Sequence, residues 1–476
     1  MHRGSAIALA ILCTLLPLAG QFYGDRAGGY LAIDFRAYYC ASLAQREGRN
    51  AYFADSLREC ESDTPAPYYR VPKNVTMPAP YPPYALAFFS PLTWLPFSAA
   101  VVLWGMLLAA CVAAAAFALA QIARTSVVVA WGALALSLGL TSLTAGNVMP
   151  LGLAAIVVAA LCAQRGRLIL AVLLLGVAMI EPQIALPAVV AFFIGFPRAR
   201  LGLAIAMAVL GAVSVASVGT AQTVAYVTTI LPAHALSEVS RDNQYSLSTV
   251  LTALGMPDAA AVAVGTASYA IALAAGVLVA LRLARIYGEP AFAVLVPAGF
   301  ALLGGSFVHT GEIAAAVPAT LLLFTLAQAY RAWIFAALVL LAVPWMLATS
   351  AAMFLAPLFP VAYLTYALWR RDGTAALSAA LASSVVIAGL FALSSEHTGA
   401  HVAAVAHTYP PMDPRLAEAS WRQFVLGNST NGPVMWLLRL PTWIGLLAFA
   451  AGALALARKA PAALAPADAR FAGSGA

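Results

Sequence analysis

Asp34 is the residue that most invites chemistry. It stands in Ile33-Asp34-Phe35-Arg36-Ala37-Tyr38-Tyr39-Cys40, a carboxylate two residues from an arginine and beside a Tyr-Tyr pair, where the first apolar segment gives way to a polar loop. A carboxylate so placed suits general-base work on a hydroxyl, provided that it stays ionised. A short amphipathic helix beginning at Asp34 would favour the ionised form, because the positive end of the helix dipole stabilises an anion. On such a helix Phe35, Tyr38 and Leu43 share a face while Arg36, Gln45 and Arg46 point elsewhere. A plain N-cap is the alternative reading of the same aspartate.

Four further groups interrupt apolar surroundings, where a charge costs about 2.5–3.5 kcal/mol at the bilayer centre. Glu181 lies in Met179-Ile180-Glu181-Pro182-Gln183; a shallow loop carboxylate reaching water is its plain reading. His309 and Glu312 lie in Ser306-Phe307-Val308-His309-Thr310-Gly311-Glu312, a site or a solvated turn. Arg241-Asp242-Asn243-Gln244 precedes Tyr245–Leu254, which reads as a capped interfacial helix. Arg70 and Lys73, in a Pro/Tyr-rich tract, would hold a phosphate or touch lipid headgroups. The sequence has no Walker loop, dinucleotide glycine fingerprint, paired CxxC or HExxH. His397, His401 and His407 are too loosely spaced to imply a metal centre, so neither a cofactor nor a divalent metal is implied.

The elements that must position these groups are set by composition. Of 476 residues, 63% are hydrophobic and only 9% charged, which marks an all-α polytopic membrane protein. The net charge of +7 comes from basic residues scattered between apolar runs, which suits cytoplasmic loops and not nucleic acid. Met1-His2-Arg3 followed by the apolar Ser5–Gly20 reads as an uncleaved signal anchor of a cell (inner) membrane protein. With Arg3 inside, residues 22–80 form an outer loop with a second short helix near Asp55–Cys60, and residues 219–258 and 395–441 form further outer loops. The whole of 1–459 is then one multi-spanning domain of roughly 12–14 spans, followed by a disordered cytoplasmic tail, 460–476. Ala85–Leu95, bounded by Pro91 and Pro96, is a short span or a re-entrant piece. Leu168–Pro197, broken at Glu181-Pro182, is a hairpin of two short spans or one kinked helix. Cys13, Cys111 and Cys162 fall in apolar segments. Cys40 and Cys60 share the outer loop and are the candidate disulfide, two separate thiols being the alternative.

In order along the first half of the chain stand Ile33–Tyr39, Gly48–Phe53, Tyr81-Pro82-Pro83-Tyr84, Ser90-Pro91-Leu92 to Leu95-Pro96, Gly146-Asn147, Gly176–Gln183 and Asn243-Gln244-Tyr245-Ser246-Leu247. This layout resembles glycosyltransferase family 87, the GT-C type that uses polyprenyl-phosphate mannose. The resemblance implies a GT-C fold with a helical first outer loop, and an inverting transfer of mannose or a similar hexose. The donor would be a polyprenyl-phosphate sugar and the acceptor a hydroxyl on a lipid or glycan, at the extracytoplasmic face, among membrane lipids. It implies Asp34 as general base, with Arg36, Arg70, Lys73 and His309 near the leaving phosphate. Tyr38, Asn147, Glu181, Gln183, Asn243, Gln244 and Glu312 complete the expected substrate-binding set. Tyr38, Tyr39, Tyr81 and Tyr84 line a sugar pocket or form an interfacial belt. Related sequences often carry Lys-Pro where this chain has Glu181-Pro182, and proline where it has Ala51. A transporter or lipid flippase is the competing reading, which predicts inverted repeats and charges near the bilayer midplane. A non-catalytic assembly subunit is the third.

Overall fold

A computed structural model describes residues 31–64, 75–326, 330–347, 412–428 and 433–458, with isolated positions before residue 31. The signal-anchor segment, Arg70, Lys73, His397, His401, His407 and the tail 460–476 lie outside the described residues. Within them the chain is helical, its only β pairing two isolated bridges, Phe53 with Leu416 and Gln244 with His309.

The stretch expected as the first outer loop, with the residues just after it, folds into α1 (Ile33–Arg46), α2 (Ala54–Ser62) and α3 (Pro83–Phe89). Helix α1 starts without a side-chain cap: Ala32, at φ 52°, occupies the N-cap position. Its first amides are satisfied from outside instead, Ala32 N–H by Thr144 O (2.6 Å) and Asp34 N–H by Ala145 O (2.9 Å). The N-cap reading of Asp34 is therefore overturned. Arg36 and Gln45, expected on a polar face, are both buried, because α1 is packed on several sides. Arg36 pairs with Glu61 of α2 at 3.3 Å, and Gln45 donates to Pro83 O at 3.2 Å. Cys40 and Cys60 are joined, with Cα atoms 5.6 Å apart, so α1 and α2 are linked covalently as well. Glu61 also accepts from Met77 N–H at 3.1 Å, which fixes the extended stretch returning toward the membrane. That stretch ends in α3 and a 3-10 turn, Ser90–Trp94. Helix α3 and the 3-10 turn together rise only about 20 Å, short of the ~30 Å that a span needs.

Next come α4 (Phe97–Ile122), α5 (Val127–Leu134), a π-helical stretch Ala135–Leu143, α6 (Met149–Gln164), α7 (Leu168–Ala178) and α8 (Pro182–Gly195). Pro182 at the start of α8 cannot continue α7, and Leu168–Pro197 is accordingly two helices with Glu181 in the break. They are followed by α9 (Arg200–Ala225), a second π-helical turn Tyr226–Ile230, and α10 (Leu231–Glu238). Helix α11 (Leu247–Ala253) is capped by the Ser246 hydroxyl, which accepts from Thr249 N–H, so the cap is not within 241–244. The series ends with α12 (Asp258–Tyr287), α13 (Ala291–Ala301), α14 (Ala316–Leu326), α15 (Arg331–Ala342), α16 (Ala417–Asn428) and α17 (Pro433–Arg458).

Four of the described stretches are long and apolar enough to span a membrane: Phe97–Ile122, Pro197–Glu238, Asp258–Tyr287 and Met435–Arg458. Seven shorter apolar helices, among them α6, α7, α8 and α13, pack between them. Close approach relies on small residues: a Cβ on Gly304 would fall 2.5 Å from the Ser268 carbonyl. The run Pro197–Glu238 is the most outward-facing, with Leu201 at 73% and Ile205 at 54% exposure, as a lipid-facing helix requires. The run is broken at Gly219, where φ is 80° and ψ 165°, so the straight part before it, 200–218, is about 28 Å long, close to the ~30 Å hydrocarbon thickness. The far end of the run, beyond the break, walls the cavity described next.

Candidate active site

A cavity of about 620 Å³ lies between the outer loop and the ends of the membrane helices, a volume suited to a small ligand. Asp34, Tyr38 and Asn147 form one wall; His234, Glu238, Arg241, Asn243, His309 and Glu312 form the other; Tyr81, Glu181 and Gln183 lie on it as well.

The Asp34 wall is built around a turn. Gly146, at φ +71°, reverses the chain between the π-helical stretch and α6, and a Cβ there would fall 2.7 Å from the Cβ of Phe35. Only glycine meets both demands without strain. The turn presents its carbonyls to the start of α1 and delivers Asn147, whose Nδ2 donates to Asp34 Oδ2 at 2.8 Å. Trp104 Nε1 holds the same turn through Gly146 O at 2.7 Å. Burial pushes the Asp34 carboxyl above its usual 3.8, while the Asn147 bond and the charges of Arg241 and His309 pull it back.

The opposite wall is a charge cluster centred on Glu238. Its carboxylate accepts from Arg241 Nη1 (3.1 and 3.2 Å), Trp421 Nε1 (2.5 Å) and Gln244 Nε2 (3.4 Å), and lies 3.1 Å from His309 Nε2. The Arg241 guanidinium stacks over the Trp421 ring at 5.1 Å. His309 is held from the other side by Glu312, Nδ1 to Oε1 at 3.6 Å. Burial opposes a charge on His309, but the bonds to Glu238 and Glu312 override it and raise its pKa to about 10. His309 therefore carries its proton at neutral pH. Its loop is fixed to 243–245 by Thr310 N–H to Asn243 O (3.1 Å), Tyr245 N–H to Val308 O (2.8 Å) and Val308 N–H to Gln244 Oε1 (2.9 Å). Arg439 of α17 locks that segment by donating to Gln244 O and Asp242 O, each at 2.8 Å.

His234, Glu238 and His309 bring three potential metal-ligand atoms within 4.8 Å of one another. Glu238, however, already accepts from three donors besides His309, one of them a guanidinium that would repel a cation. The wall holds two cations, Arg241 and protonated His309, each paired with a carboxylate, Glu238 or Glu312.

Residues 80–306 match the sequence model of glycosyltransferase family 87. Over that stretch, a little under half of its length, the chain is similar to this family. No curated protein and no solved structure gave a match. As a membrane glycosyltransferase it acts between a sugar donor and an acceptor, and the matched stretch contains Tyr81, Asn147, Glu181, Gln183, Glu238 and Arg241 of the cavity. Asp34, His309, Glu312 and Trp421 lie beyond it.

The cavity thus gathers Asp34, Tyr38, Asn147, Glu181, Gln183, Asn243, His309 and Glu312 from the expected set. Arg36 and Gln244 are buried behind it, the first on Glu61 and the second as a brace for the His309 loop. Of the tyrosines, Tyr38 and Tyr81 line it, while Tyr39 donates to Leu95 O and Tyr84 to Met179 O elsewhere. Sequence reasoning missed His234, Glu238, Trp421 and the role of Arg241. His234 and Glu238 stand one helical turn apart at the end of an apolar run, and that i, i+4 pairing was the available signal.

Proposed function

We propose that this glycosyltransferase moves a hexose, mannose or a similar sugar, from a polyprenyl-phosphate donor to an acceptor hydroxyl at the extracytoplasmic face of the cell membrane. One observation carries the reading: Asp34 and the Arg241–His309 pair line one cavity, which exposed apolar side chains line as well. Leu186 of α8 and Val227 of the second π-helical turn line the cavity and are 37% and 61% exposed. A lipid tail leaving by that side stays in hydrocarbon while its phosphate remains among polar groups.

In the proposed step the acceptor oxygen attacks the anomeric carbon from the Asp34 side and passes its proton to the Asp34 carboxylate. The bond from that carbon to the phosphate oxygen breaks, and the lipid phosphate departs toward Arg241 and His309. Attack and departure on opposite faces invert the anomeric configuration. The cations match the developing charge on the phosphate, which is where fixed electrostatics lower a barrier most. Asn243 and Gln183 supply polar contacts for sugar hydroxyls.

The test supplies purified protein in lipid with labelled polyprenyl-phosphate sugars and a panel of lipid and glycan acceptors. Product of inverted anomeric configuration is expected. Movement of the labelled lipid across the bilayer with no product would support the flippase reading instead.

A further inference from the structure

The cavity wall contains a hydrogen-bond chain whose direction is fixed by its chemistry. Asn147 Nδ2 can only donate, and it does so to Asp34 Oδ2 at 2.8 Å and to Tyr38 Oη at 3.2 Å. The amide cannot be turned over, because its Oδ1 accepts from Met149 N–H at 2.9 Å. Tyr38 Oη, an acceptor there, lies 3.2 Å from Tyr81 Oη and donates to it. Tyr81 in turn donates to Glu181 Oε1 at 3.4 Å. The two rings meet edge to face at 4.8 Å, so neither hydroxyl swings away without losing ring contact. Glu181 is buried in the break between α7 and α8, where Pro182 fixes the backbone that carries it.

We propose that Glu181 is a positioning residue for the catalytic base: as terminal acceptor it aligns Tyr81, Tyr38 and Asn147 so that one amide N–H stays on Asp34. The proposal rests on the reading of Asp34 as the base. A carboxyl oxygen accepts from Tyr81 whether or not the group is ionised, so alignment needs the oxygen rather than the charge. This role differs from contact with the donor, and it explains why a carboxylate is retained in an apolar break where it costs free energy.

Two measurements test it. The first needs no substrate: the carboxyl infrared band of Asp34, assigned by its loss in Asp34→Asn, is titrated in the wild type, Tyr81→Phe and Tyr38→Phe. The charged groups that face Asp34 are Arg241, His309, Glu238 and Glu181; Tyr38→Phe touches none of them, whereas Tyr81→Phe also takes a hydrogen bond from Glu181, so Tyr38→Phe is the cleaner variant. With the chain broken the Asn147 bond loosens, and the Asp34 midpoint is expected to move up in both variants. An unmoved midpoint in both overturns the proposal whatever reaction the protein performs. The second is a cycle on transfer rate. Tyr81→Phe is expected to lower kcat about tenfold, within the hundredfold that a 1 Å misplacement costs, with little change in the donor KM. Adding Glu181→Ala should lower it no further, and Glu181→Gln, which keeps an acceptor oxygen, should harm kcat less than Glu181→Ala. Additive losses, or a loss confined to donor KM, would instead place Glu181 in direct contact with substrate. Absence of transfer in the wild type with an Asp34 midpoint that still moves would count against the reaction and not against the chain.

Discussion

In the proposed base role Asp34 combines two demands that oppose each other: a base must be ionised, and burial disfavours the charge. The Asn147 bond and the cations across the cavity offset that penalty without adding a direct salt bridge that would blunt the base. Asp34→Asn keeps the shape of the side chain, and because Asp34 caps nothing the fold should be unaffected. Transfer should be abolished; retention of more than about a tenth of the rate, a barrier change under ~1.4 kcal/mol, would remove Asp34 from the base role. His309 sets the other limit. With a folded pKa of about 10 against 6.5, its contribution to stability is complete below about 6.5 and is lost as pH rises toward about 10. The transfer rate should follow the same proton. An acid limb above the ordinary carboxylate range belongs to Asp34, and an alkaline limb approaching pH 10 should vanish in His309→Gln. An alkaline limb that survives the substitution would assign it elsewhere.

At the scale of elements, the seat of α1 depends on Gly146. Gly146→Ala forces a left-handed residue with a side chain into contact with Phe35, at a cost of about 1–2 kcal/mol for the conformation alone. It should lower thermal stability and activity together; an unchanged melting temperature would mean that α1 is held by other contacts. The Cys40–Cys60 bond spans 20 residues, and opening a loop of that size costs on the order of 3 kcal/mol in the chain-entropy model. Alkylation with and without reductant in native membranes should find both thiols blocked until reduction. Free thiols without reductant would refute the bond. These elements also show what could be read beforehand. The Asp34 loop and Gly146-Asn147 stand out in the sequence by residue type, but their meeting, across 113 positions, is a tertiary fact. Arg36 looked like a cation for a phosphate, because type and spacing cannot reveal that Glu61 lies against it. Glu238 was hidden for another reason: it falls in 219–258, read as an outer loop, where a lone carboxylate is unremarkable.

For the whole molecule, the all-α membrane fold was legible from composition, since few charged residues leave little else for the chain to do. The bounds of individual helices were not, because Pro182 and the two π-helical stretches interrupt runs that hydropathy alone joins. The exposed apolar lining of the cavity, Leu186 and Val227, makes a prediction at this scale. Donors with shortened tails should lose efficiency, by up to about 0.8 kcal/mol per methylene removed from hydrocarbon, while acceptor KM is unaffected. Equal use of a water-soluble sugar phosphate would show that the tail is not bound through the Leu186–Val227 side.

The far wall of the cavity is completed from the end of the chain. Trp421 of α16 reaches Glu238 across 183 positions, and Arg439 of α17 reaches Gln244 across 195. Membrane proteins are built from the N-terminus at about 5–20 residues per second. For the tens of seconds between the synthesis of Asp34 and that of Arg439, the charge cluster has no lock. The nascent chain therefore carries the Asp34 helix before it has an assembled cavity, and the cavity is completed only once Trp421 and Arg439 have been added.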